Sequence, residues 1–429
     1  MKNNLLIRGF ALVAALALIG VMLAACAPAA APAPTPTAAK PAAPGTTPAA
    51  KSTAAPSAAT PAAAKPPIKI GGIFDLTGGT SDVGAPYADG VKDFVAYINE
   101  KGGVNGRKID LIGIDYAYKI PQAEEAYNRL TTQDKVPVIM GWGTGDTEAM
   151  APKITKDKIP FMSASYSEHL VKNVQTNPYN FMIGVTYSDQ MRVALKYIKD
   201  NYKGAGNPKV AFIYNDTGFG KSPMQDGKDW AAKHGVDWVD EEIVALTALD
   251  STSQLLNMQK KNPDFAIIQE TAMATATVLK DAKKLGVKTK FIGLNWASDE
   301  KVIDLAKDAA EGYIGAIPFA FISENAPGLQ EVKDFNKAKG VDWNKHNIRY
   351  VQGWISMKVM AEGLKQAGDN LTGEGIKAGL ETLKNYDTGG VTAPITFSPQ
   401  SHKGALKMKL YEVKGGKWVP FTDYIQAIE

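Results

Sequence analysis

Apolar and polar positions divide the chain into three regimes. An uncharged apolar run from Gly9 to Leu23 comes first, then a stretch from Ala27 to Pro66 with almost no large apolar side chains. From Ile68 onward, short β-branched runs alternate with helically spaced ones. The first run follows Lys2 and Arg8 and is too short for a comfortable membrane span, which fits a signal peptide over residues 1–25. The second is almost entirely Ala, Pro, Thr and Ser with three lysines, a composition that cannot offset its ordering entropy, so residues 26–66 read as a tether. Extended Pro-rich chain of that length reaches on the order of 100 Å.

In the third regime the predicted strands begin at Ile68, Lys108, Val136, Ile159 and Asn180, and a second series begins at Lys209, Val236, Asp264, Lys290 and Tyr313. Val91, Phe94, Val95 and Ile98 recur at helical spacing, and Gly102-Gly103 stops that helix. Further helices are predicted over Gln122–Thr132, Asp189–Tyr202, Lys221–His234, Ala272–Leu285, Gln330–Ala338 and Tyr350–Ala367. Strand and helix in alternation mean βαβ units, so the fold class is α/β with parallel sheets. Beyond Pro394 the chain reads as antiparallel strands around a tight Lys414-Gly415-Gly416-Lys417 hairpin, which implies that it crosses between lobes more than once.

Composition narrows the function. The formal charge is +4, but Lys2, Arg8, Lys40, Lys51 and Lys65 all precede the first acid, Asp75, which leaves roughly −1 on the folded part. Scattered lysines on a near-neutral domain do not suit a nucleic-acid partner. Cys26 is the only cysteine, so no internal disulfide forms, and it follows Leu23-Ala24-Ala25, a sequence that resembles the bacterial lipobox with its acylated cysteine. No GxSxG, HExxH or CxxC pattern occurs, and the four histidines, His169, His234, His346 and His402, are scattered; neither catalysis nor a metal or cofactor is expected. Gly218-Phe219-Gly220-Lys221-Ser222 ends like a P-loop but has Asn215 where the first glycine belongs, so it reads as a helix-entry turn.

The most informative stretch is Gly141-Trp142-Gly143-Thr144-Gly145-Asp146-Thr147-Glu148, a small-residue turn between a buried strand and a helix. Open α/β sheets bind ligands at such strand ends, where helix N-terminal N–H groups suit a carboxylate. Thr144 and Thr147 add hydroxyl donors, while Asp146 either caps the helix or faces a ligand donor. A second turn, Ser163, Ser165, Tyr166 and Ser167, offers hydroxyls and a ring, and Trp142 and Trp296 stand at strand ends as candidate stacking walls.

The segments IKIGGIFDLTGG, NEKGGVNGRKIDL, VIMGWGTGDTEAMAP, IPFMSASYS, IYNDTGFGKS and GGVTAPITFSPQSHKG, in this order from Ile68 to Glu429, resemble the branched-chain-amino-acid-type binding proteins of ABC importers. The resemblance implies a two-lobed type I periplasmic binding protein fold, each lobe a parallel-sheet sandwich, with crossovers near Thr186, Phe319 and Phe397. The lobes would be 67–186 plus 320–397 and 187–319 plus 398–429. It also implies a small carboxylate-bearing ligand, a permease and ATPase as partners, and lipid anchoring at Cys26 in the periplasm or at the cell surface. The turns around Gly143, Thr144, Gly145, Asp146 and Thr147 and around Ser165, Tyr166 and Ser167 match those that hold the ligand carboxylate. The family's ammonium-binding acid matches Asn295, next to Trp296, so Glu270 or Asp216 would have to replace it. Asp82 and Phe219 match other cleft positions. A cleft without that acid also suits an aromatic or aliphatic carboxylate or an amide, and the same lobes can serve a receptor as a ligand sensor.

Overall fold

The computed structural model describes residues 65–427; the expected signal peptide, Cys26 and nearly all of the tether lie outside the described residues. Two sheets form. The first is parallel throughout and contains β1 (Ile68–Phe74), β2 (Ile109–Asp115), β3 (Ile139–Gly141), β4 (Phe161–Ser163) and β5 (Asn180–Phe181), in the order β2-β1-β3-β4-β5. Its connections are α1 (Ser81–Glu100), α2 (Ile120–Thr132) and α3 (Thr144–Asp157).

The chain then enters the second sheet through α4 (Tyr187–Asn201). Its strands are β6 (Lys209–Tyr214), β7 (Asp237–Ile243), β8 (Phe265–Gln269), β9 (Lys290–Gly293) and β10 (Ile314–Ile317), linked by α5 (Gly218–Lys221), α6 (Met224–His234), α7 (Thr252–Lys261), α8 (Ala272–Lys284) and α9 (Glu300–Ala306). From β10 it returns to the first lobe as α10 (Pro327–Ala338), α11 (Ile348–Ala367) and α12 (Gly373–Glu381), and crosses a third time into β11 (Lys407–Lys414), β12 (Lys417–Pro420) and β13 (Ile425–Gln426). The second sheet has the order β12-β11-β10-β9-β8-β6-β7, with β13 beside β11.

One expectation needs correcting: the second sheet is mixed rather than parallel, because β11 pairs antiparallel with β10, β12 and β13. The two-residue Gly415-Gly416 turn, with both glycines at positive φ, makes β11 and β12 antiparallel neighbours, and β11 itself enters from the third crossover running opposite to β10. The last segment therefore adds an antiparallel edge to a parallel core.

α1 and α11 pack closely because each offers a glycine to the other's backbone. A Cβ on Gly90 would stand 2.0 Å from the Tyr350 carbonyl oxygen, and one on Gly353 1.9 Å from that of Tyr87. α11 is buried on nearly all sides, including Trp354, Ile355 and Met360, so it carries no polar stripe. In each sheet the strand order reverses once, between β1 and β3 and between β6 and β8. Those switch points open crevices at the carboxyl ends of the strands, where α/β sheets bind ligands.

Candidate functional site

Residues following β1, β3, β4, β6, β8 and β9 converge on a small cavity between the lobes. Trp142, Gly143, Thr144, Phe219 and Trp296, all expected from the sequence, line it. So do Thr80, Val83, Tyr118, Ala164, Tyr187 and Thr271, which the sequence reading did not pick out. Thr80 and Thr271 follow strands that were recognised, so strand-end position was an available signal; Tyr187 enters from a crossover and Tyr118 from a loop at positive φ.

The first-lobe wall is built from the end of β1 outward. The buried Asp75 carboxylate accepts from the Gly78 N–H (2.6 Å) and from the Thr80 N–H and hydroxyl (2.8 and 2.7 Å), and Thr80 Oγ1 accepts from the Trp142 indole N–H (2.8 Å). β3 then delivers Gly143 as the cap of α3, a position closed to larger residues because a Cβ would meet Asp146 Oδ1 at 2.2 Å and the Tyr116 hydroxyl at 2.4 Å. Asp146 is buried and turned inward as a cap, accepting from the Tyr116 hydroxyl (3.0 Å) and the Gly143 N–H (3.3 Å). Burial pushes its carboxyl up to about 6. The first amides of α3 lack intrahelical partners and stand beside Thr144, whose hydroxyl pairs with Ser165 (2.7 Å). This end of the cavity suits an anion.

Several expected residues support this wall without lining the cavity. Thr147 donates to the Gly143 carbonyl and pairs with Ser163 (3.0 Å), Ser167 donates to Glu148 (2.6 Å), and Gly145 meets Gly218 of the second lobe. Tyr166 stacks on Trp296 at 5.8 Å and 16°. Trp142 and Trp296 meet at 5.0 Å and 64°, which joins the two lobes through aromatic contact.

The second-lobe wall is different in kind. Glu270 is fully buried behind Thr271; its Oε2 accepts from Asn215 Nδ2 (3.2 Å), and its Oε1 has no donor. Gln269 Oε1, Thr271 Oγ1 and Thr275 Oγ1 are buried without partners as well. Across the interface, Asp82 Oδ2 accepts from the Met273 N–H (2.9 Å) while its Oδ1 has none. Burial raises the carboxyls of both acids, Glu270 well above the usual carboxylate range, and the nearby Asp82 charge adds to the rise at Glu270. Asn295 serves the framework: its N–H bonds Gln190 (2.9 Å), its Oδ1 accepts from Gln352 (3.2 Å), and its Nδ2 is unpartnered. Asp216 lies on the surface, paired with Lys221. Among the described residues, no three His, Cys, Asp or Glu side chains gather to hold a metal ion.

Known proteins share this fold. A family model described as periplasmic binding protein matches residues 67–417. The Leu/Ile/Val-binding protein of Citrobacter freundii is 25% identical over 305 residues, covering 70% of this chain and 80% of that protein. A branched-chain amino acid ABC transporter protein from Thermus thermophilus, solved with bound valine, is 27% identical with a TM-score of 0.80, covering 84% of this chain and 97% of that one. The substrate-binding protein of an ABC transporter from Aeropyrum pernix is 28% identical with a TM-score of 0.79, covering 85% and 97%. The family model covers most of the chain and the fold agrees with it: the chain belongs to the periplasmic binding protein family.

Proposed function

We propose that this protein is the ligand-capturing subunit of an ABC importer, exported and held to the membrane by a lipid on Cys26, and that its ligand is a small apolar α-amino acid. The observation that carries this reading is the opposite polarity of the two cavity walls. One offers helix N-terminal amides and the Thr144 hydroxyl; the other offers the unpartnered Thr271 Oγ1, with unpartnered carboxyl oxygens of Glu270 directly behind it and of first-lobe Asp82 across the interface. A zwitterion satisfies both, its carboxylate at the first turn of α3 and its ammonium at the acids. The apolar side chain would lie among Trp142, Trp296, Phe219 and Val83.

In this reading the acid missing at Asn295 is supplied by the turn after β8, and Asp146 caps α3 without opposing the ligand carboxylate. Ligand bridges the walls and shifts the open lobes to the closed form, hinging near Thr186, Phe319 and Phe397, and the permease reads the closed form. No catalytic step is proposed. A thermal-shift screen of the mature chain, unfolded and refolded to strip carried-over ligand, tests the ligand class against amino acids, carboxylic acids and amides. At about 100 times its Kd a true ligand adds roughly 2.7 kcal/mol. Stabilisation by leucine, isoleucine or valine is the expected result, and stabilisation by carboxylic acids or amides alone would replace this reading.

A further inference from the structure

The largest buried charge beside the cavity takes no part in lining it. Arg349, in the first turn of α11, is fully buried and reaches from the first lobe into the Asn295–Asp299 turn of the second. Its Nη2 donates to the carbonyls of Asn295 (2.6 Å) and Ser298 (2.8 Å), Nη1 to Gln352 Oε1 (2.6 Å), and Nε to Asp299 Oδ2 (3.2 Å). The guanidinium carbon stands 4.9 Å from the centroid of the Trp296 ring. Gln352, one turn along α11, donates to Asn295 Oδ1 (3.2 Å) and the Tyr166 hydroxyl (3.3 Å).

Stability alone does not account for this cluster. A buried ion pair contributes little more than well-packed apolar side chains of the same volume. What the guanidinium does, and an apolar side chain cannot, is fix geometry: Nη2 holds the two carbonyls that bracket Trp296, Nε and Nη1 fix its plane on Asp299 and Gln352, and its face meets the indole. Trp296 is otherwise held by the Tyr187 hydroxyl at its Nε1 (2.8 Å) and by the Tyr166 ring. Remove the fork and, of these attachments of the turn to α11, only the Gln352–Asn295 bond remains.

We propose that Arg349 is a positioning residue for ligand capture, fastening the Asn295–Asp299 turn of one lobe to α11 of the other and thereby setting the Trp296 wall of the cavity. The inference rests on the amino-acid reading only for its choice of probe.

A double-mutant cycle on the mature chain tests it, with L-valine binding measured by calorimetry for wild type, Arg349→Met, Trp296→Ala and the double variant. Arg349→Met is expected to weaken binding by about tenfold, and to weaken it by no more than about twofold when Trp296 is already alanine. An equal loss in both backgrounds, or no loss in the wild-type background, would overturn the proposal. Arg349→Lys keeps the charge without the fork and is expected to lose affinity nearly as far as Arg349→Met; full affinity in the lysine variant would also overturn it. Should Arg349→Met not fold, Arg349→Lys and Gln352→Leu take its place in the same cycle. Should wild type not bind L-valine, the ligand reading falls and Arg349 is judged without ligand. The near-ultraviolet circular dichroism band of Trp296, isolated by subtracting the spectrum of Trp296→Phe, should then collapse in Arg349→Lys. A band of unchanged sign and intensity would refute the positioning role.

Discussion

The β3–α3 turn and the β8–α8 turn follow one plan: each comes off the carboxyl end of a parallel strand at its sheet's switch point, passes through two residues and enters a helix facing the cavity. Their polar groups end differently. In the first, Thr144, Asp146 and Thr147 all have hydrogen-bond partners within the protein. In the second, Gln269, Glu270, Thr271 and Thr275 each leave a buried oxygen without one. Buried polar atoms are rarely left unpaired, because each costs about 1–3 kcal/mol, so the contrast separates a finished anion-binding wall from one that awaits a donor. The donor the account supplies is the ligand's ammonium group.

Substitutions on the two turns should therefore behave differently. The largest effect is expected at the unfinished one: Glu270→Gln should weaken L-valine binding roughly 100-fold, about 3 kcal/mol for a charge-assisted bond in a dry site, as read by calorimetry. The same change should stabilise the ligand-free protein at pH 8. The Glu270 carboxyl is raised in the folded state, so its contribution to stability is present at low pH and is lost as pH rises above the unfolded value. Affinity and ligand-free stability moving in the same direction would break the comparison.

A second effect concerns the finished turn. The Asp146 carboxyl is raised from 3.8 to about 6, so the native state holds that proton more tightly than the unfolded chain. Its stabilising contribution is complete below pH 3.8 and declines until pH passes about 6, a change on the order of 2–3 kcal/mol. Asp146→Asn should lack this decline, so urea unfolding at pH 4.5 and 7.5 should show the variant disadvantaged at the lower pH and close to wild type at the higher. A stability difference independent of pH would mean that burial does not control this group. Smaller still, Thr144→Val should weaken binding by roughly fivefold to tenfold, the value of one neutral hydrogen bond, and Ser167→Ala, which does not line the cavity, should leave affinity within about twofold.

Much of the architecture was legible in the sequence because burial imposes period. The β-branched runs at Ile68, Lys108 and Lys209 became β1, β2 and β6, and Tyr350–Ala367 became most of α11. α7 escaped notice because Thr252–Lys261 buries only Leu255 and Met258, too few to mark a face. The turn after β3 could be read because its glycines and threonines are local and contiguous. Of the opposite wall, Phe219, Glu270 and Trp296 were named but Thr271 was not, since it and Asp82 become neighbours only when the lobes meet. Arg349 was invisible for a related reason: an arginine at a helix start reads as solvated, and nothing local reveals that Asn295, Ser298 and Asp299 will enclose it.

The central claim is that the cavity reads both ends of its ligand, and one matched pair tests it most directly: calorimetric titration of the refolded protein with L-valine and with 3-methylbutanoate, which keeps an apolar branch and the carboxylate but lacks the amino group. The account predicts clear binding of L-valine and binding of the acid at least about 100-fold weaker, because Glu270, Asp82 and Thr271 would be left unpaired. Equal affinity for the two would contradict it and would show that Glu270 and Asp82 do not face the ligand.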